Sequence, residues 1–345
     1  MRNYSRWSIA GLMVALIGLG ISANARAQQF SVADLGTLGG ATSNGHGINA
    51  SGEVTGEAVT AGGVIHAFLY PHGGSMIDLG TLGGGSSIGY GINTSGQVTG
   101  EAVNAGGVIH AFLYTHDSGM IDLGTLGGAT SNGRGINASG VVTGQAVTAS
   151  GVFHAFLYTH GTGMIDLGTL GGGSSIGYGI NTSGQVTGEA ATAGGVIHAF
   201  LYSPGSGMVD LGTLGGGSSI GYGINASGAV TGQAVTAGGA VHAFLYSPGS
   251  GMIDLGTLGG GSSIGYGINA SGAVTGEAVN TGGVIHAFLY VKRVMRDLNY
   301  MIDPAIAAHV TLDSGKAIND DGWIVANGVD SRTGETHAYL LSKQR

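Results

Sequence analysis

Short apolar or alternating runs of about six residues, each bounded by turns rich in Gly, Ser and Asn, fill the chain from Phe30 to Leu341. A period of two between such turns predicts strands, not helices. Residues 176–214 show the pattern: strands over 176–181, 185–191, 196–202 and 208–214. Between the first two lies Asn181-Thr182-Ser183-Gly184, a tight turn in which Asn hydrogen-bonds its own backbone and Gly accepts positive φ. The third strand, I-H-A-F-L-Y, carries Ile, Ala and Leu on one face and His, Phe and Tyr on the other, so neither face is fully polar. Such a sheet is packed on both sides.

The pattern repeats. D-L-G-T-L-G-G begins at Asp34, Asp78, Asp122, Asp166, Asp210 and Asp254, 44 residues apart each time, and a degenerate copy begins at Asp297. G-I-N or A-I-N ends at Asn49, Asn93, Asn137, Asn181, Asn225, Asn269 and Asn319. H-A-F, or H-A-Y in the last copy, begins at His66, His110, His154, His198, His242, His286 and His337. Four strands per 44 residues is the size of a propeller blade. The chain opens with a fourth-strand segment, residues 30–38, and ends just after a third strand, residues 337–341, so each terminus holds what the other lacks. The expectation is an all-β, seven-bladed propeller over residues 28–345, closed by pairing the N-terminal strand with the last blade; this pairing removes the open edge. An open solenoid is the alternative, but it needs capping units and no split repeat.

H-A-F-L-Y, M-I-D-L-G-T-L-G-G, G-I-N-x-S-G-x-V-T-G and the closing A-I-N-D-x-G-x-I-V…H-A-Y-L-L resemble, in order and spacing, the HAF repeat family of extracellular repeat proteins. The resemblance spans the chain after residue 27 and implies an exported bacterial β-propeller without a settled biochemical activity.

Composition removes other classes. With 73 Gly the chain invites a disordered reading, but 43% hydrophobic and only 9% charged residues give it a core to bury. Cysteine is absent, which excludes disulfides and thiolate chemistry. Arg2 and Arg6, an apolar stretch over residues 9–21 and Ala25-Arg26-Ala27 compose a cleavable export signal over residues 1–27, so the expected location is periplasmic or extracellular. The apolar run is shorter than the ~20 residues that span a bilayer, so no membrane insertion is expected once the signal is cleaved. The net charge is −8, and Arg134 is the only basic residue between 28 and 291, which leaves no patch for nucleic acid.

Most motif matches have plain explanations. Ser87, Ser175, Ser219 and Ser263 sit in G-x-S-x-G, but a nucleophile elbow needs a strand-turn-helix context, and here the segment reads as a loop between strands. The N-x-S sequons are accounted for by turns. The H-A-F histidines lie too far apart around a disc to share a metal; they are expected to brace the blades by bonding the fourth-strand Asp or the second-strand Thr. No metal or cofactor is expected.

Within a nearly constant stretch the units differ at one position, three residues before the G-I-N Asn, which takes His, Arg, Lys or Tyr: His46, Tyr90, Arg134, Tyr178, Tyr222, Tyr266 and Lys316. It lies on the innermost strand, so these seven side chains are expected to ring the channel near one face. Aromatics with a few cations and hydroxyls suit a saccharide or a small anion. The last unit also carries an insertion around residues 301–311, with Asp303-Pro304 starting a helical turn, which reads as a cap on the closing blade or a lip over the channel. The function expected is a non-catalytic binding or scaffold module whose partner is an extracellular glycan or an envelope protein. A polysaccharide-active enzyme would need paired carboxylates outside the repeat consensus, and Glu53, Asp117, Asp313, Asp320, Asp321, Asp330 and Glu335 look scattered. A purely structural surface protein is the third class. Mass spectrometry of the exported protein is expected to show a mature chain starting at Gln28; retention of residues 1–27 would refute the cleavable signal.

Overall fold

The computed structural model describes residues 30–343; the segment expected to be the export signal lies outside them. Seven four-stranded antiparallel sheets follow one another as the blades of a closed propeller. Blades 1 to 6 comprise residues 39–78, 83–122, 127–166, 171–210, 215–254 and 259–297. Blade 7 takes Val310–Ile318, Ile324–Asp330 and Glu335–Lys343 as its inner three strands and Phe30–Asp34 as its outer one. The closing register runs from Phe30 opposite Lys343 to Asp34 opposite Tyr339, as the split repeat requires.

In blade 4 the strands are Gly171–Ile180, Val186–Thr192, Ile197–Ser203 and Gly207–Asp210. The outer strand ends at Asp210 and not at residue 214, because Asp210 Oδ1 accepts the Gly212 N–H at 2.7 Å and Gly212 turns away at φ +73°. The same turn stops the N-terminal strand at Asp34. The inner strand begins earlier than the apolar pattern suggests, and the register shift between Gly171 and Ser175 marks the irregular Gly-Gly stretch.

The core lies between blades. Ala67, Leu69 and Leu79 of blade 1 pack on Ile92, Val98 and Phe112 of blade 2, and equivalent clusters recur around the disc. The Phe of H-A-F is fully buried in blades 1 to 6. Each such burial stabilises by about 1.5–3 kcal/mol. Its seat explains the invariant Gly of V-T-G: a Cβ on Gly188 would fall 1.8 Å from the Ile176 carbonyl oxygen and 2.8 Å from Phe200 Cε1.

Polar groups staple the blades. All seven H-A-F/Y histidines bond the outer-strand Asp through Nδ1 at 2.6–2.9 Å, and the last of these pairs, His337 with Asp34, joins the two termini. The second-strand Thr goes elsewhere: Thr55 Oγ1 donates to the Phe68 carbonyl at 2.8 Å. The G-x-S-x-G serines lie on the inner strand and not in a loop. Ser87 Oγ donates to Gly80 O at 2.5 Å and accepts the Ala67 N–H at 2.8 Å, so it is a buried inter-blade staple without a free nucleophilic role.

At the hub each asparagine of G/A-I-N donates its Nδ2 to the main-chain carbonyl of the next blade's asparagine. The circle runs Asn49, Asn93, Asn137, Asn181, Asn225, Asn269, Asn319 and returns to Asn49, with every bond at 3.0–3.2 Å. These side chains are buried, which agrees with the turn reading of the sequons. Asn181→Ala removes that buried bond to the Asn225 carbonyl and the part-buried ones that Oδ1 accepts from the Ser183 and Gln185 N–H groups. It is expected to cost about 1–3 kcal/mol in urea unfolding, whereas Ser183→Ala changes little.

Candidate functional site

The central channel opens at both ends, and Ile48 with its six counterparts lines the cavity at each mouth. The mouth on the asparagine side, about 270 Å³, is lined by the circle and by small residues such as Ala50 and Thr94. The opposite mouth, about 210 Å³, holds the variable position.

That position is a β-bulge in every blade. In blade 4, Gly177 pairs with Gly188 and Gly179 with Thr187, and Tyr178 is left unpaired between them. His46, Tyr90, Arg134, Tyr222, Tyr266 and Lys316 are bulged in the same way. A bulge bends its strand and re-aims one side chain. The flanking glycines enforce the direction, because a Cβ on Gly177 would lie 2.4 Å from Thr143 Oγ1 and one on Gly179 2.8 Å from the Tyr222 carbonyl oxygen. Only the middle residue of G-x-G has room for a side chain.

The seven side chains meet in two arcs. His46 packs on Tyr90 with ring centroids 5.2 Å apart, and the Arg134 guanidinium lies 4.2 Å above the Tyr90 ring. Tyr178 meets Tyr222 edge-on at 5.1 Å, Tyr222 meets Tyr266 at 5.5 Å, and Lys316 Nζ stands 4.1 Å over Tyr266. His46, Tyr266 and Lys316 line the cavity directly.

Behind this ring stands a second one that the sequence reading overlooked: Glu57, Glu101, Gln145, Glu189, Gln233 and Glu277, from the second strands, with the buried Asn327 in blade 7. The signal was present as the E/Q alternation in V-T-G-E/Q-A, but the acid seemed part of the repeat consensus. His46 Nε2 lies 3.9 Å from Glu57 Oε1, and Lys316 Nζ 3.8 Å from Glu277 Oε2. Asn132 Nδ2 of the next blade donates to Glu101 Oε2 at 2.6 Å. Of the scattered acids named above, Asp313 also reaches the ring, beside Lys316. Carboxylates therefore do converge here, contrary to the expectation from the off-consensus residues alone.

Burial governs the titration of this site. It pushes the carboxyls of Glu101 and Glu189 above the ordinary glutamate value; neighbouring Arg134 and Tyr90 only moderate the first, and Tyr178 the second. Burial also opposes ionisation of Glu57, but His46 and Asn44 outweigh it and hold that carboxyl below its usual value. The Tyr178 phenol is pushed up to about 12, chiefly by burial and then by Glu189, and Tyr222 and Tyr266 move in the same direction. Burial lowers Lys316, partly offset by Glu277 and Asp313. The tyrosines stay protonated at neutral pH, offering aromatic faces and hydroxyls. Arg134 and Lys316 each lie over a tyrosine; Lys316 also pairs with Glu277, whereas Arg134 Nε is buried without a hydrogen-bond partner.

The insertion stays off the mouth. Asp303 caps the short helix Pro304–Ala307, Met301 and Ile302 pack into the core of blade 7 with Phe30, and Met301 O accepts the Phe30 N–H at 2.9 Å. It is a cap on the closing strand and not a lip. Among the described residues no three His, Asp or Glu side chains are grouped to hold a metal.

No protein-family model matches the chain, and no curated protein resembles it in sequence. Several solved structures share its general shape. A lectin from Burkholderia pseudomallei is 9% identical with a TM-score of 0.49, the match covering 92% of this chain and 97% of that one. TolB from Acinetobacter baumannii is 11% identical at 0.44, covering 81% and 76%, and a gluconolactonase from Xanthomonas campestris is 8% identical at 0.41, covering 90% and 92%. Likenesses this distant carry no information about what this chain binds.

Because the folded state raises the Glu189 pKa, ionising it costs stability, and that cost grows as pH rises from the unfolded value of about 4.3 through the folded one. Glu189→Gln is therefore expected to melt higher than wild type at pH 7, with the gain vanishing near pH 4. An unchanged or lower melting temperature at pH 7 would show that burial of this charge carries no such cost.

Proposed function

We propose that this protein is an exported, non-catalytic binding module that recognises a saccharide at the bulge-ring mouth of its channel. The observation that carries this reading is the bulge itself: the position that varies between aromatic and cationic residues in a nearly constant stretch is the one each blade turns out of its hydrogen-bond ladder. The tyrosines, of which Tyr178 and Tyr222 carry no cation among the described residues, supply faces for the apolar side of a sugar ring, and the carboxylates and amides behind them supply acceptors and donors for its hydroxyls. The leader places such a module where envelope and extracellular glycans are found.

Residues 28–345 on a broad glycan array are expected to give saturable binding. Tyr222→Ala with Tyr266→Ala should weaken it at least tenfold without loss of the folded circular dichroism signal, since stacked aromatics contribute about 1 kcal/mol each beyond their buried area. Binding that the double variant retains would move the site elsewhere, and a blank array would remove glycans as the ligand class.

A further inference from the structure

The ring is not electrically uniform. In blade 2 the ring of Tyr90 carries a cation, Arg134, contributed by the following blade, whose charge also acts on the Glu101 carboxyl. In blade 6, Glu277 and Tyr266 share Lys316, again from the following blade. Glu57 faces His46 of its own blade. Blade 4 repeats the first two components, Tyr178 and Glu189, but the following blade supplies Tyr222 where the others supply Arg or Lys. Among the described residues Glu189 forms no ion pair, unlike Glu277, and Arg134 of the preceding blade acts on the Tyr178 phenol but not on the Glu189 carboxyl. The flanking blades carry neutral Gln145 and Gln233 at its position. A half-buried carboxylate without a counter-ion is costly, and groups of this kind concentrate at functional sites.

The protein displays its own answer to a tyrosine-carboxylate pair in blade 6, where a positive nitrogen, Lys316 Nζ, sits 4.1 Å over the Tyr266 ring and 3.8 Å from Glu277 Oε2, and the Arg134 guanidinium repeats the cation–π half of it 4.2 Å over Tyr90. We propose that the Tyr178–Glu189–Tyr222 corner takes that nitrogen from the ligand, so that the mouth selects saccharides with a free amino group, such as glucosamine oligomers, over neutral or N-acylated ones. This rests on the reading that the bulge ring binds saccharide. The aromatic arc Tyr178–Tyr222–Tyr266 continues around the channel from the corner, with Tyr266 lining the cavity, and offers aromatic surface for the remaining sugar units.

The test is calorimetric titration, at 150 mM salt, of a β-1,4-linked glucosamine tetramer and its fully N-acetylated counterpart. Wild type is expected to bind the free amine at least tenfold more tightly. Glu189→Gln, which installs what blades 3 and 5 already carry, should abolish the preference. Tyr222→Arg, which supplies the cation internally as blade 3 does for blade 2, should do the same. Glu53→Gln, an equal charge change in the asparagine-side turn, should leave the preference intact. Equal wild-type affinity for the two tetramers, or an equal loss in Glu189→Gln and Glu53→Gln, would overturn the proposal, the latter by reducing it to bulk charge attraction. If neither tetramer binds but the array shows a neutral glycan that the tyrosine double variant loses, this inference falls and the saccharide reading stands. If the array is blank as well, both fall.

Discussion

The hub circle of seven asparagines is the constraint from which the rest of the molecule follows. Each side chain does two things at once: its oxygen closes the turn between the first and second strands, and its nitrogen fixes the distance to the next blade. A turn built this way cannot shift without breaking an inter-blade bond, so strand register and blade spacing are set together. Three residues upstream the bulge is carried to a fixed height in the channel, and the variable side chains can meet only because all seven asparagines are level. Buried amide bonds of this kind contribute modestly when made and are expensive when one partner is lost, which makes closure cooperative.

Architecture and specificity occupy different residues. Phe200 over Gly188, the histidine-aspartate pairs and the serine staples recur almost unchanged from blade to blade. Variation gathers on the bulge and on the acid or amide behind it. A bulged residue makes no ladder bonds, so replacing His by Tyr, Arg or Lys there leaves the sheet intact. The lining of the mouth can therefore change without changing the fold.

How much of this the sequence discloses depends on whether the determinant is local. The blade count, the split seventh blade and the circle's members were legible because each rests on a short motif at constant spacing. Strand ends were less so: the aspartate of D-L-G ends its strand by accepting the N–H two residues on, and apolar Leu214 beyond it looks like a continuation. The ring position was found by variation alone, whereas the bulge that gives it meaning is invisible in G-x-G, since glycine there records the closeness of a neighbouring blade. Glu57, Glu101, Glu189 and Glu277 escaped notice because position within a repeat seemed to explain them. Only the three-dimensional pairing of one blade's acid with the next blade's cation shows that they act with the ring.

That pairing also argues against reading the ring as seven independent contacts. Lys316 is engaged by Tyr266 and Glu277 of the blade before it, and Arg134 lies over Tyr90, so each cation occupies a tyrosine face at the mouth. Blade 4 keeps an acid, Glu189, that forms no ion pair among the described residues, and two aromatic edges. A sevenfold scaffold with near-identical repeats would otherwise offer equivalent subsites and no fixed orientation to an asymmetric ligand. Two substitutions from tyrosine to a cation break that equivalence, and they leave a single direction in which a charged end and a stacking face can be satisfied together.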